Sequence, residues 1–534
     1  MEIKQWQTQR REFEAAGVIL PTFDVATAKL AGKTAPTWLH FGGGNLYRAF
    51  HAVVAQDLLE QGELKAGVVT CGAHDPEMAE KAYHHFNNDF LQVVMHSDGQ
   101  LVTRLIAATA HSVYTLPGTK GYAEAEGYFT NPALQFITVT ITEKGYALTK
   151  ADGTYLSLVA EDIEQGPTKA RHTMSIITAL LWARFQAGAT PIAMVSTDNF
   201  SQNGKQFRQQ IVTIAKAWQQ QGFVTADFVN YVSVERQVSF PWSMIDRITP
   251  NPSPEVAQYL KAKGIEDVEL IHTGGGTNIA GFANTEVVHY LVIEDSFPNG
   301  RPDLGKAGVI LTDRETVDKV DRMKVTTCLN PLHTALAVAG CLLGYERISD
   351  EMKDSELVKL IRHIGYEEGL PVVADPKILS PKQFIDEVVE QRLPNPFIPD
   401  KPQRIACDTS QKIPIRFGET IKSYVALERT QALTFIPLAI ALWLRYLLGV
   451  TDEGQSFEPS PDPLLTELQQ QVGMLSVGVT DRALIHEAVA PILQNDRIFG
   501  CDLYKVGLGE RIEGYLKEVL AGPQAVRKTL QRYV

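Results

Sequence analysis

The sequence is poor in cysteine and has no block of like charge. Its five cysteines (Cys71, Cys328, Cys341, Cys407, Cys501) are widely separated, odd in number and without a CxxC pair. That excludes a disulfide scaffold and fits a reduced, cytoplasmic setting. No run of five or six like charges interrupts a net charge of −12, and an acidic surface without basic patches argues against nucleic-acid or anionic-membrane partners. The most membrane-like stretch, residues 432–450, contains Thr434, Pro437 and Arg445. A bilayer span needs about 20 mostly apolar residues, so this stretch is expected to be a buried helix. Residues 1–15 are polar and charged, with no apolar core of a signal peptide. There is no HExxH, no GxSxG and no Walker lysine motif, and His84 and His85 are adjacent rather than on one helix face. No metal site is therefore expected. Repeats and low-complexity tracts are also absent.

What remains is ordinary globular composition, 44% hydrophobic and 21% charged, which excludes a disordered chain. The first half alternates short apolar runs (residues 37–41, 67–71, 135–141, 191–196) with amphipathic stretches (49–61, 174–187, 204–221). Strands alternating with helices imply a parallel sheet covered on both faces. From about residue 313 the helical period takes over: 334–343, 354–364, 383–391, 423–446, 464–471, 483–493 and 508–520. The expected architecture is an α/β N-terminal Rossmann-like domain, residues 1–300, and a mostly α-helical C-terminal domain, residues 301–534. The join falls near 285–320. The Gly- and Pro-rich stretch 294–308 could be a flexible linker or an ordered connection.

The apolar run ending at Phe41 leads into Gly42, Gly43 and Gly44, and Asn45 opens a helical pattern. Strand, glycine turn and helix N-terminus together form a cradle for pyrophosphate, with Gly42, Gly44, Asn45 and Arg48 as candidate contacts. The third glycine of G-x-G-x-x-G is replaced by Tyr47, so the same residues could equally form an ordinary strand-to-helix turn. Asp75 follows the next apolar run. A carboxylate there binds the adenosine ribose and repels a 2′-phosphate, favouring NAD over NADP; a solvated turn before Pro76 is the alternative.

Three polar clusters sit where apolar runs end: Thr142–Glu143–Lys144, Ser196–Thr197–Asp198–Asn199, and Ile245–Asp246–Arg247. Ligands gather at the carboxyl ends of parallel strands, which makes Glu143, Asp198 and Asn199 candidates for one cleft. Helix capping is the competing role for Asp198 and Asn199. A fourth cluster, Lys324…Asn330-Pro331…His333, precedes an apolar helix. Asn330 is expected to be its N-cap and Pro331 its first residue, which puts His333 in the first turn.

These segments together resemble the polyol-specific long-chain dehydrogenases, the mannitol dehydrogenase family. The resemblance spans most of the chain. It is carried by the glycine turn with Arg48–Ala49, Thr142–Tyr146, Ser196–Asn199 with Asn203–Gly204, Phe240–Pro241 with Met244–Pro250, Val292–Asp295 with Gly300–Arg301–Pro302, and Lys324…Asn330…His333. It implies metal-independent hydride transfer between NAD(H) and a secondary alcohol or ketone of an open-chain sugar derivative, with the site between two domains. It also implies that Lys324 is the general acid/base, Asn199 and Asn330 the oxyanion-stabilising pair, His333 the substrate-orienting residue, Glu143 a member of the proton path and Asp246 a residue of the substrate cleft. The chemistry is coherent: two amides stabilise the negative oxygen that forms as hydride arrives, and a desolvated lysine can deliver the proton. The sequence departs from the family at one point. Lys324 and Asn330 are six residues apart where the family has five, so one residue must be absorbed by a bulge or a helix break. Two stretches, around 253–281 and 375–409, read as insertions.

Among substrates, a uronate needs a cation for its carboxylate, and arginine offers a bidentate fork. Arg247 and Arg301 are the candidates placed at the substrate, with Arg362 and Arg429 in reserve. The expected reaction interconverts D-fructuronate and D-mannonate. Mannitol/fructose and tagaturonate are alternatives, and a non-catalytic dinucleotide-binding sensor is the rival from another class. The expected partner is a small sugar acid or polyol, and the expected state a monomer or small homo-oligomer.

Overall fold

A computed structural model describes all 534 residues. The chain forms two compact units, Met1–His96 with Gln100–Asp318, and Lys319–Val534 with Ser97–Gly99. Residues 301–318 stay with the first unit because Ile310–Thr312 adds a parallel strand beside Tyr290–Glu294.

The first unit is built on six parallel strands: β1 (Trp38–Phe41), β2 (Val68–Gly72), β3 (Thr109–Tyr114), β4 (Phe136–Val139), β5 (Ile192–Ser196) and β6 (Val238–Ser239). Their spatial order is β3-β2-β1-β4-β5-β6. This is the doubly wound Rossmann order, whose direction of winding reverses between β1 and β4. Every residue of β1, β4 and β5 is buried, because central parallel strands are covered on both faces; hence their largely apolar sequence, interrupted by His40, Thr138 and Ser196. Ile137 and Val139 of β4 join one core cluster with Ile177, Leu180, Ile214 and Trp218, while Phe136 joins the other with Trp38, Val54 and Leu58. A separate three-stranded sheet holds β7 (Ser243–Asp246), β8 (Tyr290–Glu294) and β9 (Ile310–Thr312). The stretch 294–308 is ordered: it contains the end of β8 and a 3-10 turn, Leu304–Ala307.

In the second unit no strand follows β9, apart from a single bridge between Val450 and Ser456. The helical pattern expected over 423–446 is two helices, Glu419–Ala426 and Phe435–Tyr446. Glu428 takes a left-handed φ of 55°, and the Glu368 carboxylate accepts from the Phe435 and Ile436 amides at 2.7 Å, which starts a new helix. Phe435–Tyr446 is buried from Ile436 onward. The helical run Arg314–Leu343 is long and apolar enough to cross a membrane by length and composition, yet 78% of its apolar stretch is buried inside the fold.

Candidate active site

In the first unit the glycine turn, the residues after β4 and the residues after β5 meet at the carboxyl edge of the sheet. Gly42 has φ of 106°, and a Cβ there would lie 2.2 Å from the Thr140 carbonyl oxygen, so only glycine fits. Gly44 differs: nothing lies within 4 Å of where its Cβ would be. The helix opens at Asn45, with the Arg48 amide donating to the Gly44 carbonyl at 3.1 Å. The first-turn amides therefore have no acceptor within the helix. The Asn45 side-chain oxygen is buried without a hydrogen-bond partner. An open glycine and first-turn amides fit a dinucleotide phosphate, while the Asn45 oxygen is left to accept from a hydroxyl or amide donor.

A buried polar seam that sequence reading missed runs beneath this turn. His40 bonds Thr138 Oγ1 at 2.7 Å and Thr140 Oγ1 at 2.9 Å, and His51 bonds Thr197 Oγ1 at 2.9 Å. Burial holds His40 neutral and pushes His51 down to about 4. No spacing motif marks these residues, since they come together only through strand pairing.

Several predicted contacts are already used by the fold. Arg48, expected at the phosphate, is fully buried: Nη2 donates to the Ala280 carbonyl at 2.7 Å, Nη1 to that of Phe282 at 3.4 Å, and the guanidinium lies 4.8 Å from the Phe90 ring. It ties the helix to a neighbouring segment through its two Nη groups, and its Nε is buried without a hydrogen-bond partner. Asp198, expected at the cofactor, accepts from the Ile141 amide (2.9 Å), the Thr142 amide (2.8 Å) and the Tyr146 hydroxyl (2.8 Å). It clamps the loop after β4 to that after β5 and holds Thr142 at φ 65°, a strained value for a β-branched residue. Glu143 follows at the start of a 3-10 turn, exposed, and Asn199 is exposed just beyond Asp198.

Asp75 caps the short helix Pro76–Met78 and accepts from the Glu77 amide at 3.0 Å and from the Thr273 hydroxyl. Burial raises its pKa, but hydrogen bonds from Thr273, Glu77 and Thr277 outweigh this and hold it below the ordinary carboxylate value. Asp246 ends β7, buried and opposite Tyr290 of β8.

Both arginines expected at the substrate have partners within the fold. Arg247 donates Nε to Thr285 Oγ1 at 2.8 Å and Nη2 to the Glu286 carbonyl at 3.2 Å, and lies 5.2 Å from the Phe50 ring. Arg301 forms a two-pronged pair with Asp295 at 2.8 and 2.9 Å. Its loop is pinned by Asn299, which donates to the Leu134 carbonyl at 2.8 Å, just ahead of β4. Arg301 therefore sits at the amino edge of the sheet, away from the glycine turn.

In the second unit Lys324, Asn330 and His333 lie around one helix junction. Helix Arg314–Met323 passes into a π-helical turn, Lys324–Cys328, and the Leu329 amide donates to the Lys324 carbonyl at 3.1 Å. The wider turn absorbs one residue, and the chain breaks at Leu329 (φ −127°, ψ −62°) before helix Asn330–Leu343. Leu329, not Asn330, is the N-cap; Asn330 is the first helical residue and its side chain forms no cap bond. Its half-exposed amide is thus left for other use. Lys324 is 2% exposed, with Nζ 3.7 Å from Asp321 Oδ1.

His333 Nε2 is buried without a hydrogen-bond partner, 3.6 Å from Asp400 Oδ2. Burial pushes its pKa down to about 4; Asp400 opposes this, and Arg416, Arg404 and Arg392 reinforce it. Sequence reading missed this shell. Asp400, Arg404 and Arg392 lie in the stretch read as an insertion, and only folding brings them to His333.

A family model described as "Mannitol dehydrogenase Rossmann domain" matches residues 36–306, and one described as "Mannitol dehydrogenase C-terminal domain" matches residues 316–520. The chain belongs to the mannitol dehydrogenase family. It is an oxidoreductase of the secondary-alcohol class. Within the family it is 47% identical over 531 residues to a D-mannonate oxidoreductase of Thermotoga maritima, covering 98% of this chain and 97% of the relative. It is 29% identical to a polyol:NADP oxidoreductase of Gluconobacter oxydans, covering 86% and 88%. Among solved structures it is similar to the mannitol 2-dehydrogenase of Pseudomonas fluorescens in ternary complex with NAD and D-mannitol, at TM-score 0.68 and 26% identity, covering 97% and 96%.

Proposed function

We propose that this mannitol dehydrogenase family member interconverts D-fructuronate and D-mannonate with NAD(H). The observation that carries the reading is the 47% identity to a D-mannonate oxidoreductase across nearly the whole of both chains. The open Gly44 and the first-turn amides would hold the pyrophosphate, with the Asn45 side-chain N–H group as a further donor. The ionised Asp75 after β2 favours a ribose hydroxyl over a 2′-phosphate, supporting NAD. When bound, the nicotinamide supplies the hydride.

The protein's residues do the rest. Asn330 and Asn199 donate to the carbonyl oxygen as negative charge grows on it. Lys324 Nζ gives that oxygen its proton in reduction and takes it back in oxidation. His333, neutral at pH 7, orients the substrate hydroxyls, and Glu143 passes the proton toward solvent. With charge and proton both handled by side chains, the reaction needs no metal. Five unpaired thiols support a reducing, cytoplasmic location.

The test is steady-state NADH oxidation with D-fructuronate, D-tagaturonate and D-fructose, each repeated with NADPH. D-Fructuronate should lead D-fructose in kcat/KM by roughly 100-fold or more, as expected of a site built for a charged group, and NADH should lead NADPH. A preference for D-fructose would refute the substrate, and no turnover with any ketose would favour a sensor.

A further inference from the structure

We propose that Arg416 receives the carboxylate of the sugar-acid substrate, and so sets the preference for a uronate over an uncharged ketose. The inference rests on the uronate reading above and assigns the residue that reading requires. Arg416 lies on the π-helical turn Pro414–Gly418. Its Nη1 donates to Thr334 Oγ1 at 2.6 Å, which fixes the guanidinium beside the residue next to His333 in the first turn of Asn330–Leu343. That hydrogen bond is its one polar contact, and no carboxylate pairs with it. Of the five N–H donors on a guanidinium, most are therefore left for an anion.

The surroundings reinforce this. Burial pushes Arg416 down to about 10, and no nearby acid opposes the shift. Arg416 is half-buried; a cation partly removed from water without a counter-ion is costly, and an arriving carboxylate offsets that cost. Three other candidate arginines are paired with carboxylates: Arg404 with Asp400, Arg301 with Asp295 and Arg362 with Glu390. Arg416 also contributes to holding His333 neutral, in keeping with its contact to the adjacent Thr334. A six-carbon keto acid whose carbonyl is handled by Lys324 and Asn330 has its carboxylate at C1 or C6, a few bonds from the reacting carbon. A cation fixed one residue from His333 suits that distance.

The test compares kcat and KM for D-fructuronate and D-fructose in wild type, Arg416→Gln and Arg416→Lys, with NADH affinity measured separately by fluorescence. The Gln variant should raise KM for D-fructuronate about 100-fold with a smaller change in kcat, narrowing the D-fructuronate/D-fructose ratio of kcat/KM by a similar factor. The Lys variant keeps the charge but not the fork and should recover part of that ratio; it also gives the answer if the Gln variant does not fold. Equal losses on both substrates, leaving the ratio unchanged, would mean that Arg416 only supports the helix. That result overturns the assignment while wild-type preference for D-fructuronate still stands. A wild-type enzyme that prefers D-fructose overturns the uronate reading and the assignment with it.

Discussion

Two helix starts carry the candidate chemistry, and they use their polar groups in opposite ways. At the glycine turn of the first unit, charged side chains are tied up internally: Arg48 by the Ala280 and Phe282 carbonyls, and Asp198 by two amides and a tyrosine hydroxyl. What is left to meet a ligand there is mainly backbone and Asn45. At the junction after Lys324 the side chains keep capacity. Asn330 forms no cap bond, His333 Nε2 has no hydrogen-bond partner, and Arg416 has a single contact. Arg48 and Arg416 make the contrast plain, since burial pushes both down to about 10. A buried arginine is structural or ligand-binding according to whether the fold supplies its acceptors.

The largest expected effect breaks this comparison at the second junction. Lys324→Ala should lower kcat by roughly 100-fold or more, the usual worth of a general acid/base, with NADH binding retained in fluorescence titration. Near-normal turnover would move the proton role to another residue.

An intermediate effect tests the first junction. Arg48→Met strips the Ala280 and Phe282 carbonyls of their donor inside the core and should cost about 2–4 kcal/mol of stability, read from denaturant unfolding. The D-fructuronate/D-fructose ratio should not move. A lost ratio without lost stability would make Arg48 a ligand contact after all.

The smallest effect concerns protons. Burial pushes both His51 and His333 down to about 4, whereas an unfolded histidine titrates near 6.5. Between these values the unfolded chain binds protons that the folded chain refuses. The stability from each neutral imidazole is thus complete above about pH 6.5 and declines as pH falls toward 4, by up to about 1.4 kcal/mol per unit. Thermal melts from pH 7.5 to 4.5 should show a shallower decline for His333→Asn than for wild type. Parallel curves would mean that His333 is already protonated in the fold.

Much of the fold was legible in the sequence for a simple physical reason. Central parallel strands are buried on both faces, so β1, β4 and β5 are mostly apolar, and Gly42 must be glycine because a backbone oxygen occupies the place of its Cβ. The one-residue excess between Lys324 and Asn330 likewise demanded a local distortion, which the structure provides as a π-helical turn.

Pairing was not legible. Nothing in the residues around Arg301 shows that Asp295 takes its fork, or that Asn299 ties the loop to the amino edge of the sheet. The shell of His333 is drawn from residues some 60 to 80 positions away (Arg392, Asp400, Arg404, Arg416). Local sequence determined which segments are strands, turns and helices, because those follow from burial period and backbone sterics. Which charges are neutralised by the protein and which remain to meet a substrate was decided by tertiary structure alone, because a charge's partners are set by distance in space and not along the chain.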